Sequence, residues 1–278
     1  QNLTTEVQLK ARWQAQYHTH IVHIDRDDRC ITDSQGSHYA FDKLVLATGS
    51  KPHIPAIPGN RLSGVFAFRN LEDAEKLLSR QVSSRHTIVI GGGLLGIETA
   101  RAMAKYGTDV TLIHHSPMLM NRQLDERSSE LLVEDLRKQR VEVRLSTAVL
   151  AIDGARKVEK IILRGEPAIA CDTVIFATGI KPNSLIAREA GIAVGQGIKI
   201  NDRLETNQAD IFAIGECAEF NGRIFGLVAP GLEQASVLAR NLACDEMGAY
   251  KESLLSANLK VVRTPVFSTG EVGEDYSQ

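Results

Sequence analysis

The chain has 278 residues, with 32 Lys and Arg against 34 Asp and Glu, a formal net charge of −2, and 43% hydrophobic but only 5% aromatic residues. That apolar share excludes a disordered polypeptide, and charge so near balance supplies no basic field for nucleic acid or an anionic membrane. No apolar run approaches the roughly 18 residues of a membrane span, and no signal peptide opens the chain, so a cytoplasmic protein is expected. At about 100–200 residues per domain, the length allows one large domain or two of ordinary size, and two are expected. Cys30, Cys171, Cys217 and Cys244 stand far apart with no Cys-x-x-Cys pair. Such spacing supports no structural zinc, iron–sulfur cluster or redox disulfide.

In chain order, an apolar strand-like run ends in KLVLATGSKP at 43–52 and returns as TVIFATGIKP at 173–182. From Gly49 to Gly179 the offset is 130 residues, too long for a solenoid unit and suited to two domains of related construction. Between the copies, the β-branched run 87–90 predicts a buried parallel strand. Gly91-Gly92-Gly93-Leu94-Leu95-Gly96 follows at once, then a helix from Leu94 to about Tyr106 with Gly107 as its stop, then a strand at 109–113. A helix at about 125–139 carries Leu131, Leu132 and Leu136 on one face. The segments 141–145, 147–152 and 157–163 read as strands of an antiparallel excursion, and 173–178 as the returning strand. Further on come a strand at 211–214 and a helix at about 231–248, with Leu232, Ala235, Leu238 and Leu242 at helical spacing. A last strand is predicted at 259–262.

The main chemical signal is Gly91-x-Gly93-x-x-Gly96 set between a strand and a helix. The first glycine makes the tight turn, the second lets a pyrophosphate approach the backbone, and the third permits close helix packing. The helix start then offers unpaired N–H groups to the phosphates. At the end of the second strand, where a carboxylate would bond the ribose of NAD, the chain has His114-His115, with Arg122 nearby. This leaves NADH and NADPH both open, and also leaves open two histidines with no ligand role. The Ala-Thr-Gly turns and Gly215-Glu216 are further places where small residues at a strand end admit a cofactor, although Gly-Glu also serves as a helix cap.

These motifs together carry a resemblance to the flavoprotein reductases that hold FAD and NAD(P)H on separate Rossmann-type domains. FDKLVLATGSKP at 41–52, FRNLEDA at 68–74, GGGLLGIE at 91–98, VIFATGIKPN at 174–183 and IFAIGECAEF at 211–220 spread it over nearly the whole chain. SPMLMNRQLD at 116–125, IGECAEFNGRIFGLVAPG at 214–231 and LLSANLKVV at 254–262 resemble most the N-terminal part of NAD(P)H-dependent nitrite reductase large subunits.

The resemblance implies an α/β fold of two Rossmann-like nucleotide domains, the first incomplete at its N-terminus. Its implied divisions are 1–75 and 191–249 for the FAD domain, 76–190 for an inserted NAD(P) domain, and 250–278 for the start of a C-terminal domain. On the FAD side it places Ile21, Ala47, Thr48, Gly49, Arg69, Gly215, Glu216 and Leu232. On the NAD(P)H side it places Gly91, Gly93, Leu94, Leu95, Gly96, His114, His115, Gly179 and Ile180. Glu98 matches a carboxylate near the nicotinamide, or serves simply as a helix-start carboxylate.

Two departures stand out. No Gly-x-Gly-x-x-Gly precedes Gly49, and a first loop spaced like the second would lie about 40 residues ahead of Gln1, so a fragment is expected, or a relative without the flavin-diphosphate site. His114 stands where NADH-using relatives usually carry Glu. The implied activity is hydride transfer from NAD(P)H to FAD, with electrons passing to a downstream redox domain or protein. Rival readings are a stand-alone reductase for rubredoxin, ferredoxin or nitrate reductase, and a non-catalytic nucleotide-binding module. No metal, nucleic-acid or membrane partner is implied, and a homodimer is allowed.

Overall fold

A computed structural model describes residues 14–243, 248–252, 256–259 and 266–270. The chain opens with three antiparallel strands, β1 (Ile21–Asp25), β2 (Cys30–Asp33) and β3 (His38–Ala40). After them come β4 (Leu44–Leu46) and the short β5 (Ser50–Pro52).

The chain then builds a five-stranded parallel sheet from β6 (Val65–Ala67), β7 (His86–Ile90), β8 (Asp109–Ile113), β9 (Val141–Arg144) and, after β10 (Val149–Asp153), β11 (Lys160–Leu163) and β12 (Ile169–Ala170), the returning β13 (Thr173–Phe176). The sheet order is β6-β13-β7-β8-β9. Helices α1 (Leu71–Gln81), α2 (Leu94–Lys105) and α3 (Glu126–Lys138) connect its strands.

Side chains alternate across this sheet, as the two-residue strand period requires. Val89, Leu112 and Ile175 pack with Ile97, Met103, Leu132 and Leu136 of the helices. Ile88, Ile113, Val174 and Phe176 face the other way, onto Ile152, Ile161 and Leu163 of the antiparallel β10–β12 sheet. Both faces are covered, which is why these strands read as unbroken apolar runs.

The chain next runs through β14 (Ile180–Pro182), α4 (Leu185–Glu189), β15 (Ile198–Ile200), β16 (Ile211–Ala213), β17 (Ala218–Phe220), β18 (Arg223–Ile224) and α5 (Val228–Ala243). Here β16 pairs with β4 in parallel, and Ile24, Leu46, Ile198, Ile211 and Ala213 form a separate core. A hairpin of β19 (Ser256–Leu259) and β20 (Val266–Thr269) closes the described chain. Leu259 is buried in the helix-side core of the large sheet.

Several expectations are corrected. The segment at 141–145 is not part of the antiparallel excursion, because β9 pairs in parallel with β8 as the edge of the main sheet. The division at 75/76 cuts that sheet, since β6 supplies its other edge by pairing with β13. Leu131 is 49% exposed, one helical step of about 100° off the buried Leu132–Leu136 stripe. Leu232 and Leu242 are likewise exposed, and Leu238 alone of that predicted leucine row is buried. The last strand runs over 256–259, and residues 260–262 of its predicted span lie outside the described residues, as does Cys244.

The two Ala-Thr-Gly copies meet. β5 and β14 pair antiparallel, setting Ile180 against Pro52, Lys181 against Lys51 and Pro182 against Ser50. Asn183 secures this ribbon, donating from its backbone to the Gly49 carbonyl at 2.9 Å and from its side chain to the Thr48 carbonyl at 2.9 Å. The Thr48 hydroxyl returns a bond to the Asn183 carbonyl at 2.6 Å. The repeat is therefore the crossing point between the two halves of the chain.

Candidate functional site

At the end of β7 the backbone turns at Gly91, with φ +125°, a conformation that side-chain-bearing residues rarely adopt. A Cβ there would also collide with the Ala177 carbonyl, and one at Gly96 would strike the Gly91 carbonyl. Gly93 differs: it is the N-cap of α2, and nothing lies within 4 Å of where its Cβ would stand. No side chain caps the helix start and no acidic residue occupies its first turn. The strand, turn and helix thus present open space and unpaired N–H groups, the arrangement that holds a pyrophosphate. Leu94 and Leu95 begin the helix half-buried beside that space.

Glu98 sits one turn further in. Burial raises its pKa above the usual carboxylate range, and among the described residues it makes no ion pair or hydrogen bond. It is therefore not a first-turn carboxylate compensating the helix dipole.

The two histidines at the end of β8 part company. His115 is exposed, whereas His114 is only 8% exposed and turned into the loop, its Nδ1 accepting the Gly92 N–H at 3.1 Å. A Cβ at Gly92 would come within 2.6 Å of the imidazole, so ring and glycine are fitted to each other. Burial first, and the neighbouring His115 second, push the His114 pKa down to about 4, so the ring is neutral at physiological pH. The imidazoles of His114 and His115 meet edge to face at 4.7 Å.

A second set of open strand ends lies on the other half. β4 leads into Ala47, Thr48 and Gly49, and β16 into Gly215 and Glu216. Neither Gly49 nor Gly215 has an atom within 4 Å of a notional Cβ. Gly215, at φ +74°, donates its N–H to the buried Gln234 side chain at 2.7 Å, which sequence reasoning did not single out. The Glu216 carboxylate accepts from the Ser50 hydroxyl at 2.9 Å and pairs with Arg69, both through Oε2, leaving Oε1 without a bond among the described residues. Arg69 is positioned from behind by the α1 capping box, in which Asn70 and Asp73 bond each other's backbone and Asp73 also accepts the Arg69 N–H.

The structure thus brings Arg69 to Glu216, residues far apart in sequence. Gly179, also with open space at its Cβ position, and Ile180 stand at the ribbon between the two sets. Ile21 opens β1, whose Ile24 shares the core of Leu46 and Ala213. Leu232 lies exposed on α5, next to Gly231, which packs against Gly215. A chain of contacts links the halves: Gly91 to Ala177, Thr178 to the His53 carbonyl at 2.5 Å, and Ser50 to Glu216.

Among the described residues, the cysteines take no part in these contacts. Cys30, Cys171 and Cys217 are free, and burial pushes the Cys171 thiol up to about 12, which leaves it inert as a nucleophile.

The chain is 38% identical over 255 residues to the assimilatory nitrate reductase electron transfer subunit of Bacillus subtilis (strain 168), covering 92% of this chain and 33% of that protein. It is 40% identical over 254 residues to the NAD(P)H nitrite reductase of the same organism, covering 91% and 32%. The chain thus spans about a third of the length of these relatives. Among solved structures, an NAD-dependent persulfide reductase from A. fulgidus matches at a TM-score of 0.87 and 28% identity, covering 92% of this chain and 49% of that one. The α/β architecture with its Rossmann-like parallel core is that of FAD- and NAD(P)-binding oxidoreductases. The model of the pyridine nucleotide-disulphide oxidoreductases matches residues 3–240, and the chain belongs to that family.

Proposed function

We propose that the chain is the reductase module of a longer electron-transfer protein, taking electrons from NAD(P)H through FAD to a downstream acceptor. The observation that carries this reading is the pair of open strand-end sites, the uncapped α2 start at Gly93 and the Gly49/Gly215 turns, joined through the β5–β14 ribbon. The residues fit both groups. Gly93 and the first N–H groups of α2 would hold the nicotinamide dinucleotide's phosphates, and Gly49, Gly215 and Glu216 would line the flavin nucleotide. When bound, the flavin supplies the two-electron chemistry that side chains lack.

The protein's own part is orientation and electrostatics. Arg69 neutralises the Glu216 carboxylate and holds it in place, while its free Oε1 suits a hydroxyl donor such as a ribityl or ribose group. Glu98, with its raised pKa, is the titratable group on α2 available to the nicotinamide end.

Two acceptors stand on equal footing, because the nitrate reductase electron transfer subunit and the nitrite reductase are matched to nearly the same degree. The test is direct: the full-length protein is purified and titrated anaerobically with NAD(P)H. A flavin spectrum bleached by the nucleotide is expected, and a colourless protein that does not oxidise NAD(P)H would sink the redox reading in favour of a non-catalytic nucleotide module. Delivery of electrons to nitrite, or to a separate carrier protein, then distinguishes the two acceptors.

A further inference from the structure

Gln234 stands where the packing of α5 calls for an apolar residue. It is fully buried, in line with Pro230 and Leu238 at four-residue spacing on the inner face of the helix. Burying an amide is costly unless its polar atoms find partners. Its Oε1 accepts the Gly215 N–H at 2.7 Å, and since an N–H requires the amide oxygen, the orientation of the group is set. Nε2 then faces the Tyr250 hydroxyl, on which the amide acts as a donor. Among the described residues, no other group bonds either of these two buried atoms.

Tyr250 is itself held in place. Its ring meets Phe220 of β17 edge to face at 5.2 Å, in the core of Leu204, Phe212 and Leu238. Its backbone N–H donates to the Asp202 carbonyl at 2.6 Å, and two residues on, Glu252 pairs with Arg223 at 3.1 Å. At the other end of the relay, the Ile214 N–H donates to the Leu46 carbonyl at 3.0 Å, so Gly215 is the first residue past the β4–β16 ladder. A glycine at φ +74° with open space around it has no side chain to fix its conformation. The acceptor that Gln234 supplies does so instead, and the next residue is Glu216, whose Oε1 is free.

Resting on the reading that Gly215 and Glu216 line the flavin nucleotide, we propose that Gln234 is a positioning residue for the flavin site, held in turn by Tyr250. The segment that follows α5 thereby sets the turn that receives the cofactor. Without the Gln234 acceptor the Gly215 peptide is free to turn toward water when the site is empty, and flavin binding must reverse that turn.

The test uses the full-length holoprotein and reads the FAD dissociation constant from the fluorescence of flavin released on dilution, with NAD+ affinity measured alongside by calorimetry. Gln234→Leu keeps the buried bulk and removes the acceptor; it is expected to weaken FAD about tenfold or more while NAD+ affinity stays within about twofold. Gln234→Glu restores an acceptor for the Gly215 N–H and should bring FAD affinity back to within about threefold of wild type, a rescue that a packing role does not predict. Tyr250→Phe keeps the ring, removes the hydroxyl and should weaken FAD about threefold. FAD affinity within about twofold of wild type in a folded Gln234→Leu protein overturns the proposal, as does equal weakening of FAD and NAD+, or a Glu variant no tighter than the Leu one. Where the Leu variant does not fold, Tyr250→Phe decides, and unchanged FAD affinity there overturns the proposal. Unchanged FAD affinity in a folded Glu216→Ala protein would instead overturn the underlying site reading, so the two failures are distinguishable.

Discussion

Three glycines of one loop do three different jobs, and the atoms around each say which. Gly91 and Gly96 lack side chains because backbone carbonyls occupy the space, so their replacement should damage folding. Gly93 lacks one although the space is empty, which a packing argument does not explain. Gly93→Leu is therefore expected to keep the melting temperature within about 2 °C of wild type while raising the NAD(P)H dissociation constant about tenfold or more. Gly96→Ala should instead lower the melting temperature by several degrees. Equal nucleotide affinity in a folded Gly93→Leu protein would remove the loop from the binding site.

Among the elements, α1 and the start of β13 are tied together by one carboxylate. Asp172 accepts from the Ser84 hydroxyl at 2.8 Å, the Thr173 hydroxyl at 2.7 Å and the Arg85 N–H at 2.8 Å, and pairs with Arg80 from α1. Burial by itself would raise its pKa, but the Arg85 N–H, the two hydroxyls and the Arg80 charge together hold it below the usual value. Because the folded pKa is depressed, the stabilisation is present above the unfolded carboxylate value and is lost as pH falls through the folded one. Asp172→Ala should cost about 2 kcal/mol near neutral pH. Urea titrations should show that difference shrinking below about pH 4. A difference independent of acid pH would show that packing, not charge, makes the site matter.

At the scale of the whole molecule, the two halves meet at the β5–β14 ribbon and at the Arg69–Glu216 pair. Asn183 contributes one side-chain bond across that ribbon, to the Thr48 carbonyl. Its replacement by Ala should cost about 1 kcal/mol. It should also speed limited proteolysis at residues 47–53 and 177–183 while leaving nucleotide affinity unchanged. Cleavage confined to other loops would mean that the halves are held elsewhere.

The glycine loop at 91–96 and its flanking elements were legible in the sequence because their determinants are local. A strand, three glycines and a helix within one short stretch obey backbone sterics that do not depend on distant residues. The strand at 109–113 and the helix over 126–138 were read almost to the residue, since period and caps mark them. Edge strands were harder: β6 is three residues long, and β9 carries the alternation of a strand without any sign of its partner's direction. Strand pairing is a long-range choice, and alternation is the same for parallel and antiparallel neighbours.

By itself, then, the amino-acid sequence determined the strand–glycine loop–helix unit, the repeated Ala-Thr-Gly turns and the family to which they point. Tertiary structure alone decided that the two repeats pair with each other, that Arg69 reaches Glu216, and that His114 faces the glycine loop while His115 faces solvent. The reason is physical. Turns and caps are settled by neighbours along the chain, whereas the orientation of a side chain at a strand end depends on which distant backbone comes close enough to bond it.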